Sequence, residues 1–287
     1  MKITKDFDKT LLDNKDKFNA EFFHRFNAKK RKITLGDVME KEYYFPTFYG
    51  DVTCAQAIFL CDYKKALELM PHEKVKPVPM PKGRAVLAIS CYEYKNVMGI
   101  PPYNEIAFTI AVEVDKEKTP MLMPVLKNTN SGFFVFSMPV TSRENCLRGN
   151  YIWGLPKVTQ EIDIYTEDDE CVIKAYEENG EEYFSLRVPK HGKAKEFDQT
   201  TYLFPKLNGK VLKARTDFKA TMNININIKS LFSKKAKLKK PCIELSNTQS
   251  AKVLRDLDIT PMPLQLRYGE HMSSCFDYYD ENFSLKE

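Results

Sequence analysis

From residue 222 to 228 the chain alternates without a break, setting Met222, Ile224, Ile226 and Ile228 against Asn223, Asn225 and Asn227. A period of two fits only an extended strand, because it sends the aliphatic side chains to one face and the amides to the other. The strand expected here is half-buried and antiparallel, with its asparagine face in solvent. Extended segments of the same kind recur. AVLAISCYEY and EIAFTIAVEV are rich in β-branched and aromatic residues, with Gly99, Pro101 and Pro102 between them. GFFVFSMPV, EIDIYTE, CVIKAYEE and EYFSLRV follow, with Asn179-Gly180 as a turn signal. Helical patterns are few: DYKKALELM ahead of Pro71, TSRENCLRG, and residues 248–257. Many short strands and few helices imply a mainly β (α+β) fold with a closed antiparallel sheet and peripheral helices.

Residues 8–32 place Leu11, Leu12, Phe18, Phe22, Phe23 and Phe26 at helix-like intervals among charged residues. The expectation is a single domain over residues 1–287, with residues 1–44 as an N-terminal helical arm packed on the body or on a neighbouring subunit. KKAKLKK, at 234–240, reads as a solvated loop.

The charge balance excludes one class of function. Against 44 Lys and Arg stand 39 Asp and Glu, a net charge of only +5 over 287 residues, which argues against a dedicated nucleic-acid binder. The start of the chain is too charged for a secretory signal, and no apolar stretch approaches the roughly 20 residues that span a bilayer. Seven scattered cysteines form neither a disulfide framework nor a zinc pattern, and the four histidines have no metal spacing. A cytoplasmic protein without membrane or nucleic-acid partners is expected. No P-loop, dinucleotide fingerprint or Gly-x-Ser-x-Gly elbow occurs.

GNYIWGLPKV, residues 149–158, carries the chemistry. Lys157 follows Tyr151, Ile152, Trp153, Leu155 and Pro156, unusual company for a lysine. Apolar surroundings disfavour an ammonium and lower its pKa. The neutral amine so favoured can attack a carbonyl carbon, and the resulting protonated imine accepts an electron pair from a breaking C–C bond. The alternative for the same residues is a lysine that lays its stem on Trp153 and reaches water.

This stretch resembles the active-site segment of the acetoacetate decarboxylase family, in which Gly149, Ile152, Trp153, Gly154, Pro156 and Lys157 fall in register. Tyr103-Asn104-Glu105 resembles the family's Tyr-x-Glu opening of an inner strand. The resemblance implies a cone-shaped antiparallel β-barrel and a cofactor-free lyase that decarboxylates a small β-keto acid through a Schiff base on Lys157. It implies acid/base or electrostatic assistance from Glu105 and a substrate-binding wall of Tyr103, Phe108, Tyr151 and Trp153. It also implies assembly into a homo-oligomer. The family's second lysine is Val158 here, and its substrate-binding arginine near Val52 has no counterpart. Two further readings therefore stay open: an aldolase, dehydratase or hydratase using the same lysine on another carbonyl substrate, and a non-catalytic small-molecule-binding barrel.

Overall fold

The computed structural model describes residues 1–3, 15–115 and 130–285, and β-structure dominates them. In chain order the strands are β1 (Lys29–Leu35), β2 (Met39–Phe45), β3 (Thr47–Asp62), β4 (Val75–Pro77), β5 (Arg84–Val97), β6 (Tyr103–Val114), β7 (Ser131–Val140), β8 (Lys157–Thr159) and β9 (Glu161–Glu167). They continue as β10 (Glu170–Tyr176), β11 (Glu182–Pro189), β12 (Lys193–Leu203), β13 (Lys206–Leu207), β14 (Lys210–Val211), β15 (Ala214–Ile226), β16 (Ile243–Leu245) and β17 (Gln265–Tyr279). The helices are short: α1 (Tyr63–Glu68), α2 (Arg143–Arg148), α3 (Lys229–Phe232) and α4 (Gln249–Asp256). α1 begins where the Asp62 carboxylate accepts the Lys64 and Lys65 N–H groups, an N-cap. Among the described residues no helix is long and apolar enough to cross a membrane.

Antiparallel pairing runs β6–β5–β3–β17–β15–β12. β7 joins the two ends, antiparallel to β6 and parallel to β12, so the pairings return on themselves as a ring of seven strands. β8 then adds to β7 in parallel. An all-antiparallel sheet is therefore not what forms. The chain leaves β7 through α2 and comes back beside it, and a helical crossover of this kind delivers the next strand in the same direction.

β9, β10, β11 and β16 form a second sheet against the outside of the ring. Ile173, Phe184, Leu186 and Val188 share one buried cluster with Phe59, Ile89, Ile106 and Ile110. β6 is consequently buried along its whole length. That explains why its sequence reads as a nearly continuous apolar run instead of alternating.

The alternating segment behaves as expected over half its length. Met222 and Ile224 are buried, whereas Ile226 and Ile228 are exposed, because β15 ends at Ile226. The amide face does not simply meet solvent. Asn223 and Asn225 donate to the carbonyls of Lys190 and His191 at 2.7 and 2.8 Å, pinning the chain as it enters β12.

The helical arm is replaced by something else over most of its described length. Leu11 and Leu12 lie outside the described residues. Phe18, Phe22 and Phe23 pack with Tyr44, Phe48 and Met98 around a short 3-10 turn, and residues 29–45 form the β1–β2 hairpin. The sequence KKRKITLG favours this hairpin: Gly36 takes the left-handed conformation its turn needs, and Lys30 and Lys32 pair across it with Glu42 and Glu40. Aromatic residues at three- and four-residue spacings suit a compact cluster as well as a helix.

The parallel seam between β7 and β12 depends on a close approach. A single register pair, Phe133 with Leu203, is backed by the Phe204 N–H donating to the Phe133 carbonyl at 2.9 Å. A methyl on Gly132 would run into the carbonyl of Tyr202. Gly132→Ala is expected to destabilise the protein by about 2 kcal/mol, as overpacking against backbone does. Urea unfolding should show a lower midpoint at unchanged m-value; an unchanged midpoint would remove the seam's claim to importance.

Candidate active site

Lys157 opens β8 and is held there by its backbone. The side-chain oxygen of Asn150 accepts the Lys157 N–H at 3.0 Å, and the Asn150 side-chain N–H donates back to the Lys157 carbonyl at 3.2 Å. The same carbonyl accepts from the Cys146 thiol. The loop that makes this possible is a π-helical turn, Gly149–Trp153, continuing α2 and ended by Gly154 in the left-handed conformation. A side chain on Gly154 would meet the Lys206 carbonyl, and one on Gly149 would occupy the space of the Lys157 stem. Both glycines of the motif are therefore steric requirements.

The lysine stem runs from this turn into the ring. Its ammonium donates to Glu105 Oε2 at 2.5 Å and to the side-chain oxygen of Asn145, which α2 presents one turn after its Ser142 cap. Tyr94 donates to the other Glu105 oxygen at 3.3 Å, and the Tyr103 ring lies 5.8 Å from the lysine nitrogen. Lys157 is 8% exposed and Glu105 5%. Beside them is a cavity of about 340 Å³, whose wall includes Tyr49, Tyr94, Tyr103, Met138, Leu155 and Phe276.

Two opposed influences act on the amine. Burial pushes its pKa down from the ordinary 10.5, the Glu105 carboxylate pushes it up by charge and hydrogen bond, and the Arg148 guanidinium pushes it down again; the net direction is down. Burial also holds the hydroxyls of Tyr94 and Tyr103 far above their ordinary value, so both stay neutral donors. Arg148 is buried behind the cavity wall, stacked 4.5 Å from the Tyr43 ring and donating to Thr47 Oγ1 at 2.9 Å. Val158, at the position of the family's second lysine, is half-exposed. Adjacent strand residues point to opposite faces, so a lysine at 158 would point away from the cavity in any case. The neighbouring cation comes from α2 instead.

Three of the six residues expected at the site meet there: Lys157, Glu105 and Tyr103. Phe108 is 1% exposed but lies on the outer face of β6, edge-on to Phe184 at 5.2 Å, because three residues along a strand is the wrong parity to share a face with Glu105. Tyr151 is 50% exposed and rests on Gly36 of the N-terminal hairpin. Trp153 stands behind the wall: its ring packs 4.6 Å from Phe276, and its N–H donates to the Asp277 carbonyl at 3.0 Å. It supports a lining residue without lining the cavity. His271 is exposed and hydrogen-bonded to Asp51. Asn145, Tyr94 and Arg148 were not legible beforehand. The pairing of Tyr92 and Tyr94 with Glu105 and Tyr103 carries the signal for Tyr94, but the register is known only once the sheet is built.

A closed ring of strands around a cavity, with a buried lysine–carboxylate pair in its wall, defines an enzyme-like β-scaffold built around one amine. The acetoacetate decarboxylase (ADC) family model matches residues 34–238, and the chain belongs to that family. No curated protein matches the sequence. Among solved structures, the chain is similar to an acetoacetate decarboxylase from Legionella pneumophila subsp. pneumophila str. Philadelphia 1, with a TM-score of 0.55 and 14% identity over 82% of this chain and 86% of that one. A second structure, described as acetoacetate decarboxylase, gives 0.53 and 12% identity over 83% and 91%. The enduracididine biosynthesis enzyme MppR, complexed with the condensation product of pyruvate and imidazole 4-carboxaldehyde, gives 0.53 and 8% over 80% and 87%. At these identities the likeness is one of fold.

The balance around Lys157 has a measurable sign. Its reductive methylation by formaldehyde and cyanoborohydride, followed residue by residue by mass spectrometry, should titrate with a midpoint below 10.5. Glu105→Gln should move the midpoint further down, and Arg148→Met should move it back up. A midpoint at the ordinary value, or one indifferent to both substitutions, would contradict the balance. Gly149→Ala should leave the fold intact but displace the lysine stem, lowering carbonyl trapping at Lys157 by roughly 100-fold, the scale of a 1 Å misplacement. Trapping at the wild-type rate would refute the steric role.

Proposed function

We propose that the protein is a cofactor-free, Schiff-base-forming lyase of the acetoacetate decarboxylase type, acting on a β-keto acid through an imine on Lys157. The reading rests on one observation: the Lys157 amine is buried, bonded to a carboxylate, and open to a cavity of about 340 Å³. A structural lysine would need no cavity beside it. In this reading the whole chain forms one domain, the strand ring is the family's cone-shaped barrel, and the protein is a cytoplasmic homo-oligomer.

The steps follow from the groups present. Glu105 takes a proton from the Lys157 ammonium, and the amine adds to the ketone carbon. Glu105 gives that proton to the carbinolamine hydroxyl, which leaves as water, and the iminium ion results. The bond between the α-carbon and the carboxylate then breaks, its electron pair enters the iminium, and neutral CO2 leaves. Glu105, reprotonated from solvent, gives a proton to the α-carbon of the enamine, and water adds to the resulting iminium to release the ketone and the Lys157 ammonium. Asn145 keeps the nitrogen pointed at the cavity throughout. The apolar wall and the nearby carboxylate disfavour the substrate's carboxylate relative to CO2.

A second reading is favoured by size. A cavity of about 340 Å³ has the liquid volume of roughly eleven waters, more than a seven-heavy-atom keto acid fills. The same enamine can add to an aldehyde instead of a proton, and the fold relative MppR was captured with such a condensation product. Borohydride reduction with acetoacetate, pyruvate or acetylacetone should leave a covalent adduct on Lys157, and CO2 release from acetoacetate separates the two readings. Lys157→Arg should stay folded and lose both adduct and turnover to the level of enzyme-free buffer. Wild-type turnover in that variant would refute the imine mechanism, and the absence of an adduct with any small carbonyl between pH 5 and 8 would leave a binding barrel.

A further inference from the structure

The cavity has a second polar pole that the imine chemistry does not use. Arg267 on β17, Gln56 on β3 and Ser90 on β5 all line it, and they stand in one register row across three adjacent strands. The arginine is fixed from both sides. Its Nε and Nη2 donate to the Gln265 side-chain oxygen at 2.9 and 2.6 Å, and its Nη1 donates to the Gln56 side-chain oxygen at 3.1 Å. Gln56 in turn donates to Ser90 Oγ at 2.8 Å. The Phe197 ring backs the guanidinium at 5.3 Å.

Two features set this arginine apart. Among the described residues no carboxylate forms an ion pair with it, although a partly buried cation without a counter-ion is costly. A guanidinium has five N–H donors and three are spent, so two remain, while the Ser90 hydroxyl accepts from Gln56 and braces the amide that holds the arginine. The pole thus offers donors and positive charge to a cavity that is otherwise mostly apolar. That is the complement of a carboxylate.

Position decides which carboxylate. Ser90 pairs with Ala107, two residues from Glu105 on β6, so Arg267 and Glu105 are three strand steps apart round the ring. That is roughly 14 Å of sheet between their backbones at the usual strand spacing, shortened inside the cavity by the inward reach of the side chains. The carboxylate lost as CO2 must sit one carbon from the iminium carbon beside Lys157, so it cannot also occupy Arg267. Resting on the imine reading above, we infer that the substrate is a β-keto acid carrying a second carboxylate, a few carbons beyond the ketone on its other side, held by Arg267, which Gln56 and Ser90 keep in place.

Two measurements test this and separate its failure from failure of the imine reading. In the first, 3-oxoadipate and 3-oxopimelate are compared with acetoacetate by CO2 release. The wild type should prefer a dicarboxylate by tenfold or more in kcat/KM, Arg267→Met should cut that preference at least tenfold, and Arg267→Lys should retain part of it. In the second, calorimetry compares hexanoate with hexanamide, neither of which forms an imine. The wild type should prefer hexanoate by tenfold or more, and Lys157→Met should keep that preference. Arg267→Met should lose the preference, and Ser90→Ala should weaken it severalfold, so a fold defect at position 267 does not decide the matter. Equal binding of acid and amide by the wild type, or an undiminished preference in a folded Arg267→Met, overturns the inference. Absence of both CO2 release and a borohydride-trapped adduct on Lys157, with hexanoate selectivity intact, would instead fault the imine reading.

Discussion

The contact between the Lys157 ammonium and the Glu105 carboxylate sets the terms for everything around it. Removing either charge from water is expensive, and their mutual attraction offsets that only with good geometry and further hydrogen bonds. Those bonds come from Asn145 on the nitrogen side and Tyr94 on the carboxylate side. The attraction also works against reactivity, since a lysine paired with a carboxylate holds its proton more firmly. Burial and the nearby Arg148 restore the balance toward the neutral amine. Forces of opposite sign thus meet on the Lys157 amine, and their net lowers its pKa.

Keeping such a pair in place demands a rigid frame. β6 carries Glu105 and is enclosed on both faces, by the cavity wall on one and by the outer sheet on the other. Asn150 grips the Lys157 backbone at both its N–H and its carbonyl. α2, which carries Asn145 and Arg148, is itself fastened to the N-terminal hairpin: Lys41 and Tyr43 on β2 both donate to the Glu144 carboxylate at 2.8 Å. The residues expected to form a helical arm instead steady the helix beside the reactive amine.

What the sequence disclosed follows from the range of the signals involved. Strand alternation and apolar runs are local, so β5, β6, β7 and β15 could be read directly, as could the short helix after Asp62. GNYIWGLPKV is local as well, and it singled out Lys157. Glu105 came from the resemblance of its strand opening. Parity alone would have excluded Phe108 once Glu105 was chosen, and that inference was available without a structure. Tyr151 and Trp153 were misplaced for a different reason: they belong to a π-helical turn, whose side-chain directions follow neither the helical nor the strand period. Arg148 and Arg267 depend on packing between segments more than a hundred residues apart, which no local pattern encodes.

β17 lies between β3 and β15, so the last of the described strands is inserted in the middle of the ring and not added at an edge. During synthesis, β3 must wait for more than 200 further residues before its neighbour exists. Until then the cavity lacks a wall, and two long strand edges stand unpaired, an invitation to aggregation. Pairings so distant in sequence are slow to form. Closure of the ring is therefore a late event, which waits for β17.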